Sequence, residues 1–404
     1  MTTTTTVAAS HQLAPGQDAR IIALVSFAHG VSHFFHLLLP PLFPWLMPEF
    51  GLDFVSIGST MTVFFVVSGV GQALAGLAVD RFGPLRVLSA GIACFILAGF
   101  GLSQARGLGD LMAVAAVAGL GNSVFHPCDF TILNRNVSPQ RLGHAFSMHG
   151  LSGNLGWALA PVFLTGIASL AGWRTAALGA GLLAIPALAL LLLGRHHFVV
   201  DTHTSAASGR KVTTLEILKV GPVWLCFTFF LLLTTAFGAI QNFGTPLMQG
   251  MYGMPVSQAA GTLSAYLLAG AAGVLVGGFL TRHARQGQVI AGALCTAALT
   301  AVLLASGWPP AGMVVPLMAA IGFLTGLAGP SRDLLVRSAA TARFGQAAFG
   351  RVYGFVYSGL DTGLALAPLL FGGFMDKGHF GAVLVGFAIL QAAAVFTALG
   401  VERR

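Results

Sequence analysis

Several ionisable side chains lie inside stretches that are otherwise apolar, and their spacing decides what chemistry they can do. His29, His33 and His36 sit at i, i+4 and i+7, so all three share one helical face. Imidazole titrates near neutral pH. Such a stripe can exchange a proton or touch a solute through His33 and His36, hydrogen-bond between helices, or hold a metal ion. His126 and Asp129, three residues apart, also share a face, and a carboxylate beside an imidazole titrates as a unit. Asp129 with His126 is therefore one candidate for carrying a coupling proton, against a structural hydrogen-bonding role. Asp361 stands alone in another apolar stretch, with Tyr357 and Tyr353 one and two turns away on the same face. It is the second proton-carrier candidate; the alternative is an ion pair with an arginine of another helix. Arg332 and Asp333 are neighbours, readable as an ion pair that closes one end or as an anion contact at Arg332. His149, Asn154, Gln241 and Asn242 join His33, His36, Arg332, Tyr353 and Tyr357 as candidate solute contacts. Met248, Met251 and Met254 form a thioether run, soft enough for copper, though methionine at this spacing more often packs.

The solvent around these groups follows from composition. Of 404 residues, 56% are hydrophobic and only 8% charged, with a mean hydropathy of +0.84. A soluble domain carries about 25% charged residues, so the surface must face lipid. The net charge of +8 does not point to nucleic acid, because the basic residues fall in short loops between apolar spans. Cys94, Cys128, Cys226 and Cys295 all lie inside apolar spans without CxxC spacing and read as small buried hydrophobes. No phosphate-cradling loop is present, and glycine clusters such as GNLG lie within spans, where they pack helices. The chain reads as a non-enzyme with no cofactor and no assigned metal site.

Windows of about 20 apolar residues give twelve spans, the first at 21–46 and the last at 380–401. The divisions are a polar tail at 1–20, a six-helix bundle at 21–194, a linker loop at 195–219 and a second bundle at 220–401. A repeat supports the halving. Gly143–Pro161 (GHAFSMHGLSGNLGWALAP) recurs as Gly350–Pro368 (GRVYGFVYSGLDTGLALAP), keeping Gly156 as Gly363 and ALAP intact, and setting Asn154 against Asp361. Gly119 and Pro127 likewise align with Gly326 and Pro330, two prolines expected to loosen their helices. Duplicated bundles of this kind place function where the halves face each other. With both termini cytoplasmic, all of the 20 Lys and Arg except Arg106, Arg174 and Lys377 fall on the cytoplasmic side. The expected location is the cytoplasmic (inner) membrane, multi-pass.

Gly76-x-x-x-Asp80-Arg81-x-Gly83, between the second and third spans, resembles the signature loop of the major facilitator superfamily. Ser123–Pro127 (SVFHP), Gly153–Gly156 (GNLG) and the stretch PLFPWLMPEFGL resemble the fosmidomycin-resistance group of exporters within it. The sequence departs from that group at Cys128, where the group has glutamate, and at Ser32-His33, where it has an Asn-Asp pair. The resemblance implies an all-α membrane fold of twelve helices in two pseudo-symmetric bundles, and a latch formed by Asp80 and Arg81 with Arg86 close by; the Asp80 counterpart in the second half is Thr281, and Asp333 joins the gating residues through its pairing with Arg332. It implies a monomeric secondary transporter whose partners are a small polar or amphipathic solute, protons and the bilayer, with proton-coupled efflux as the expected direction. Uptake of an anionic metabolite, and a His/Met-based copper- or haem-handling protein, are the alternatives.

Overall fold

The computed structural model describes residues 15–198, 219–280, 285–331 and 349–402. The regular structure there is helical: α1 (Pro15–His36), α2 (Phe43–Phe50), α3 (Phe54–Phe82), α4 (Pro84–Ser103), α5 (Leu108–Asn122), α6 (Phe125–Asn136), α7 (Leu142–Ala171) and α8 (Trp173–Leu193) in the first half; α9 (Gly221–Tyr252), α10 (Val256–Leu280), α11 (Gln286–Ala305), α12 (Ala311–Leu327), α13 (Phe349–Asp376) and α14 (Phe380–Glu402) in the second. Eleven helical stretches are long and apolar enough to cross a membrane, and a bent pair makes a twelfth. Large apolar side chains point outward around the bundle, with Leu170 91% and Phe396 76% exposed, a surface that only lipid can cover.

The first span departs from the single window expected at 21–46. The chain bends by 41° between Gly16–His36 and Pro40–Phe50, with a 3-10 turn at Pro40–Leu42 in between. Two consecutive prolines cannot donate the backbone hydrogen bonds that would carry α1 onward. The fourth span is broken as well. α5 ends at Asn122 and α6 begins at Phe125, because Pro127 lacks the N–H that would bond the Ser123 carbonyl. Pro330 does the same in the second half, where α12 ends at Leu327.

The two halves pack alike. α1 lies on α7 as α9 lies on α13, α3 on α5 as α10 on α12, and α4 on α8 as α11 on α14. The repeated glycines explain the closeness. A side chain at Gly156 would run into the Gly30 carbonyl of α1, and one at Gly363 into Leu231 and Thr234 of α9. Gly119 approaches the Phe64 carbonyl and Gly326 the Gly270 carbonyl in the same way. Small residues at such crossings let helices gain dispersion contact where lipid supplies no hydrophobic drive.

Across the halves, α3 packs on α13 and α7 on α10. The inter-half hydrogen bonds among the described residues gather toward one end. Asp376 accepts from the backbone N–H of Phe54 at 2.5 Å and of Val55 at 3.1 Å, Thr62 donates to the Ala365 carbonyl at 2.8 Å, and Ser264 to the Ala158 carbonyl at 2.7 Å. Phe243 seals that end with its ring centroid 5.9 Å from Phe54 and 6.4 Å from Phe43. The opposite end bears the chain termini, since the spans are even in number. There Ser138 Oγ donates to Asp18 at 2.5 Å, tying the start of α1 to the turn before α7.

Candidate transport site

Two places within the spans hold a carboxylate. The first is the wall between the halves. α3 and α13 line a cavity of about 730 Å³, walled by Thr62, Phe65, Gly69, Gln72, Ser358, Asp361 and Thr362 and open to the surface where Val66, Val70, Leu366 and Leu369 are exposed. That volume lies in the range of small-molecule sites, about 300–1,000 Å³. Gly69 leaves room for Asp361: a Cβ there would stand 3.4 Å from the Asp361 Cβ and 3.6 Å from its Oδ2. Among the described residues no side chain hydrogen-bonds or ion-pairs with Asp361. The cavity lies just below the sealed end, so its closure there rests on the Thr62, Phe243 and Asp376 contacts already described.

The second is a polar cluster inside the first half, where α1, α6 and α7 meet. The sequence sets Asp129 beside His126, but the shortest contacts of Asp129 go elsewhere. His149 Nε2 hydrogen-bonds Asp129 Oδ2 at 3.0 Å, and His29 Nδ1 lies 3.1 Å from the same oxygen. Asp129 faces α1 and α7, and their imidazoles reach it across the helix interface. His126 stands at the edge, its ring centroid 5.4 Å from that of His29. His29 stacks on His149 at 3.5 Å and tilts against His33 at 4.4 Å. Gly153 makes the space: a Cβ there would sit 2.8 Å from the His33 ring and 3.2 Å from His29 Nε2.

The expected stripe of three histidines divides. His36 leaves the cluster for Asn122, whose Oδ1 it meets at 2.7 Å; Ser32 donates to that same oxygen, and Asn122 Nδ2 donates to Ser68. His33 packs against Trp157 at 4.2 Å, and Trp157 reaches Phe237 of the second half at 5.2 Å. The stripe thus runs from the inside of the first half toward the interface.

The remaining sequence candidates fall as follows. Asn154 donates to the Gly150 carbonyl of its own helix. Gln241 and Asn242 are buried in α9; Asn242 donates to Gly238, while both polar atoms of Gln241 have no partner among the described residues. Asp80, Arg81 and Arg86 are exposed at the end of α3 and the start of α4. Among the described residues none of them makes an ion pair; the Arg81 guanidinium lies 5.2 Å over the Phe82 ring. Arg332 and Asp333 lie outside the described residues, as do the side chains of Tyr353 and Tyr357. Met248 and Met254 are buried and Met251 is half-buried, all against the apolar core.

Sequence reasoning missed the sealing carboxylate Asp376. It also missed the pairing of Glu49 with Arg174 (2.5 Å) and with the Trp173 indole N–H. One signal was available. Arg106, Arg174 and Lys377 are the cations on the wrong side for the charge rule, and each has a carboxylate beside it. Arg174 meets Glu49, Arg106 lies 3.5 Å from Asp110, and Lys377 follows Asp376 in the chain.

The sequence model of the Major Facilitator Superfamily matches residues 23–341. The chain is 29% identical over 265 residues to the fosmidomycin resistance protein of Escherichia coli strain K12, a match covering 64% of each chain. It is 26% identical over 383 residues to the uncharacterised transporter YfnC of Bacillus subtilis strain 168, covering 93% of this chain and 87% of that one. In fold it matches a bacterial homologue of the lysosomal transporter Spinster, solved inward-facing and occupied, with a TM-score of 0.77 over 97% of this chain and 98% of that one at 12% identity. Twelve spans, a duplicated six-helix unit and a cavity between the copies agree with that match, and the chain belongs to the major facilitator superfamily of membrane transporters, not to any class of enzyme.

Proposed function

We propose that this transporter exports a small amphipathic solute across the cytoplasmic membrane in exchange for protons, and that Asp361 carries the proton. The observation that supports this reading most is a carboxylate on the wall of a largely apolar cavity between the halves. A charge there is costly unless it meets a cation or takes up a proton. Solute and proton would then compete for one group, the simplest way to couple two fluxes in opposite directions. Alternating access follows from a seam that is bonded at the Asp376 end and must release there to let solute out. The export direction rests on similarity to the fosmidomycin resistance protein. Both termini are cytoplasmic in this reading, which makes the sealed end extracytoplasmic.

The test is growth of cells expressing wild type or Asp361→Asn on a panel of toxic compounds that includes fosmidomycin. Export predicts resistance to at least one compound, lost in Asp361→Asn at equal membrane expression. Sensitisation with cellular accumulation would mean uptake instead. Resistance that is equal in both proteins would remove Asp361 from the mechanism.

A further inference from the structure

We infer that His29, Asp129 and His149 form a binding site for one divalent transition-metal ion, zinc by the chemistry of its donors. The site lies inside the first six-helix half and not in the cavity between halves, and the inference is independent of solute and coupling ion. Three features of the geometry point to it. First, the ligand-capable atoms of the three residues lie within 4.8 Å of one another, and all three residues are buried. The carboxylate oxygen stands 3.0 Å from His149 Nε2 and 3.1 Å from His29 Nδ1. Zinc–ligand bonds of about 2.0–2.1 Å in a tetrahedron give ligand–ligand edges of about 3.3 Å, close to both carboxylate–imidazole distances; because the His29 and His149 rings stack at 3.5 Å, one ring must turn out of the stack for both to meet the ion. Second, donor capacity is left over. His29 Nδ1, both ring nitrogens of His33 and Asp129 Oδ1 are buried without a hydrogen-bond partner among the described residues. The His29 nitrogen, though 3.1 Å from the carboxylate, is off the line that a hydrogen bond needs. Native interiors seldom leave such atoms unpaired. Third, Gly153 holds the space open, since any side chain there would strike the rings of His33 and His29.

Two imidazoles and a carboxylate suit zinc and its first-row neighbours, not the hard alkaline-earth ions. His29, His33 and His126 make a second set within the same 4.8 Å limit. The two sets share His29, and the set with Asp129 is preferred because it alone supplies a carboxylate. The ion would replace the proton that His149 now shares with Asp129. It would also pin α1, α6 and α7 together below the break at Ser123, making the first half a stiffer body.

The experiment uses the full chain, purified without a histidine tag, with Zn²⁺ and Co²⁺ as probes. We expect one tightly held ion per chain, a Co²⁺ visible spectrum of low coordination number, and a zinc-induced rise in the thermal unfolding midpoint. His149→Gln and Asp129→Asn should each weaken the ion at least tenfold and abolish the thermal shift. His36→Gln, in which the lost side chain belongs to Asn122, should keep the ion. So should the double variant His196→Gln/His197→Gln, which removes an exposed imidazole pair. Wild type that binds no ion, or whose ion disappears with His196 and His197, overturns the inference. So does undiminished affinity in Asp129→Asn, which would leave the cluster a hydrogen-bonded one only. If a variant fails to fold, the wild-type spectrum and thermal shift still decide.

Discussion

Breaking the carboxylate cap at Asp376 should open the sealed end by a calculable amount. Its two oxygens accept from the first free N–H groups of α3, on Phe54 and Val55, across the seam between halves. Hydrogen bonds to a charged group contribute about 1.5–3 kcal/mol when sheltered, and a carboxylate at an exposed helix N-terminus about 0.3–1 kcal/mol. Asp376 is exposed, so screening brings the pair to about 1 kcal/mol. That corresponds to a roughly fivefold shift in the ratio of sealed to open forms for Asp376→Ala. Asp376→Asn keeps one acceptor and should shift the ratio only about twofold. The shift is readable as a distance distribution between spin labels at Gln104 and Trp308, exposed positions near that end on opposite halves. The alanine variant should gain a longer-distance population and the asparagine variant a smaller one. An Asp376→Ala distribution identical to wild type would refute the assignment of the carboxylate as an inter-half tie.

Other consequences follow from the same contacts. Gly156→Val and Gly363→Val force a side chain into a neighbouring helix and should each cost about 1–3 kcal/mol or more, seen as lost monodisperse protein in detergent. Gly143→Val, with nothing near it, should purify normally. Asn122→Ala removes the shared acceptor of His36 and Ser32 and the donor to Ser68, and should lower the unfolding midpoint by several degrees. Asp53 caps α3 by accepting from the Ser56 N–H at 2.7 Å, and hydrogen bonds from Ser56 hold its carboxyl below the usual range. A depressed native value stabilises the fold above the unfolded value near 4 and is lost as pH falls through the native value. Asp53→Asn should therefore flatten the acid limb of stability below about pH 4, measured by thermal unfolding against pH, and leave neutral stability nearly unchanged.

Much of the architecture was readable because membrane folding leaves strong marks. Twenty-residue apolar windows, basic loops and a repeat that preserves Gly156 as Gly363 express constraints local to one span. The bend after His36 is local too, but an apolar window at 21–46 cannot show it; only the paired prolines at Pro40 and Pro41 hint at the break. The site was legible in its members and not in its pairings. Helical spacing places His126 and Asp129 on one face, yet Asp129 bonds His149 twenty residues along the chain, a choice made by how α7 leans on α1. Asp376 and Phe54, 322 residues apart, share no pattern at all. The Asp80–Arg81 loop matched a family signature, yet among the described residues it forms no ion pair, and Arg81 lies instead over the Phe82 ring.

The central claim is that Asp361 exchanges a proton for solute in the cavity between two rocking halves. It is tested most directly in proteoliposomes loaded with a compound found in the growth screen, with an imposed pH gradient and both solute and proton fluxes recorded. Wild type should move solute against its gradient with opposing proton flow, while Asp361→Asn should still exchange solute down its gradient but neither accumulate it nor move protons. Equal gradient-driven transport by both proteins would contradict the account.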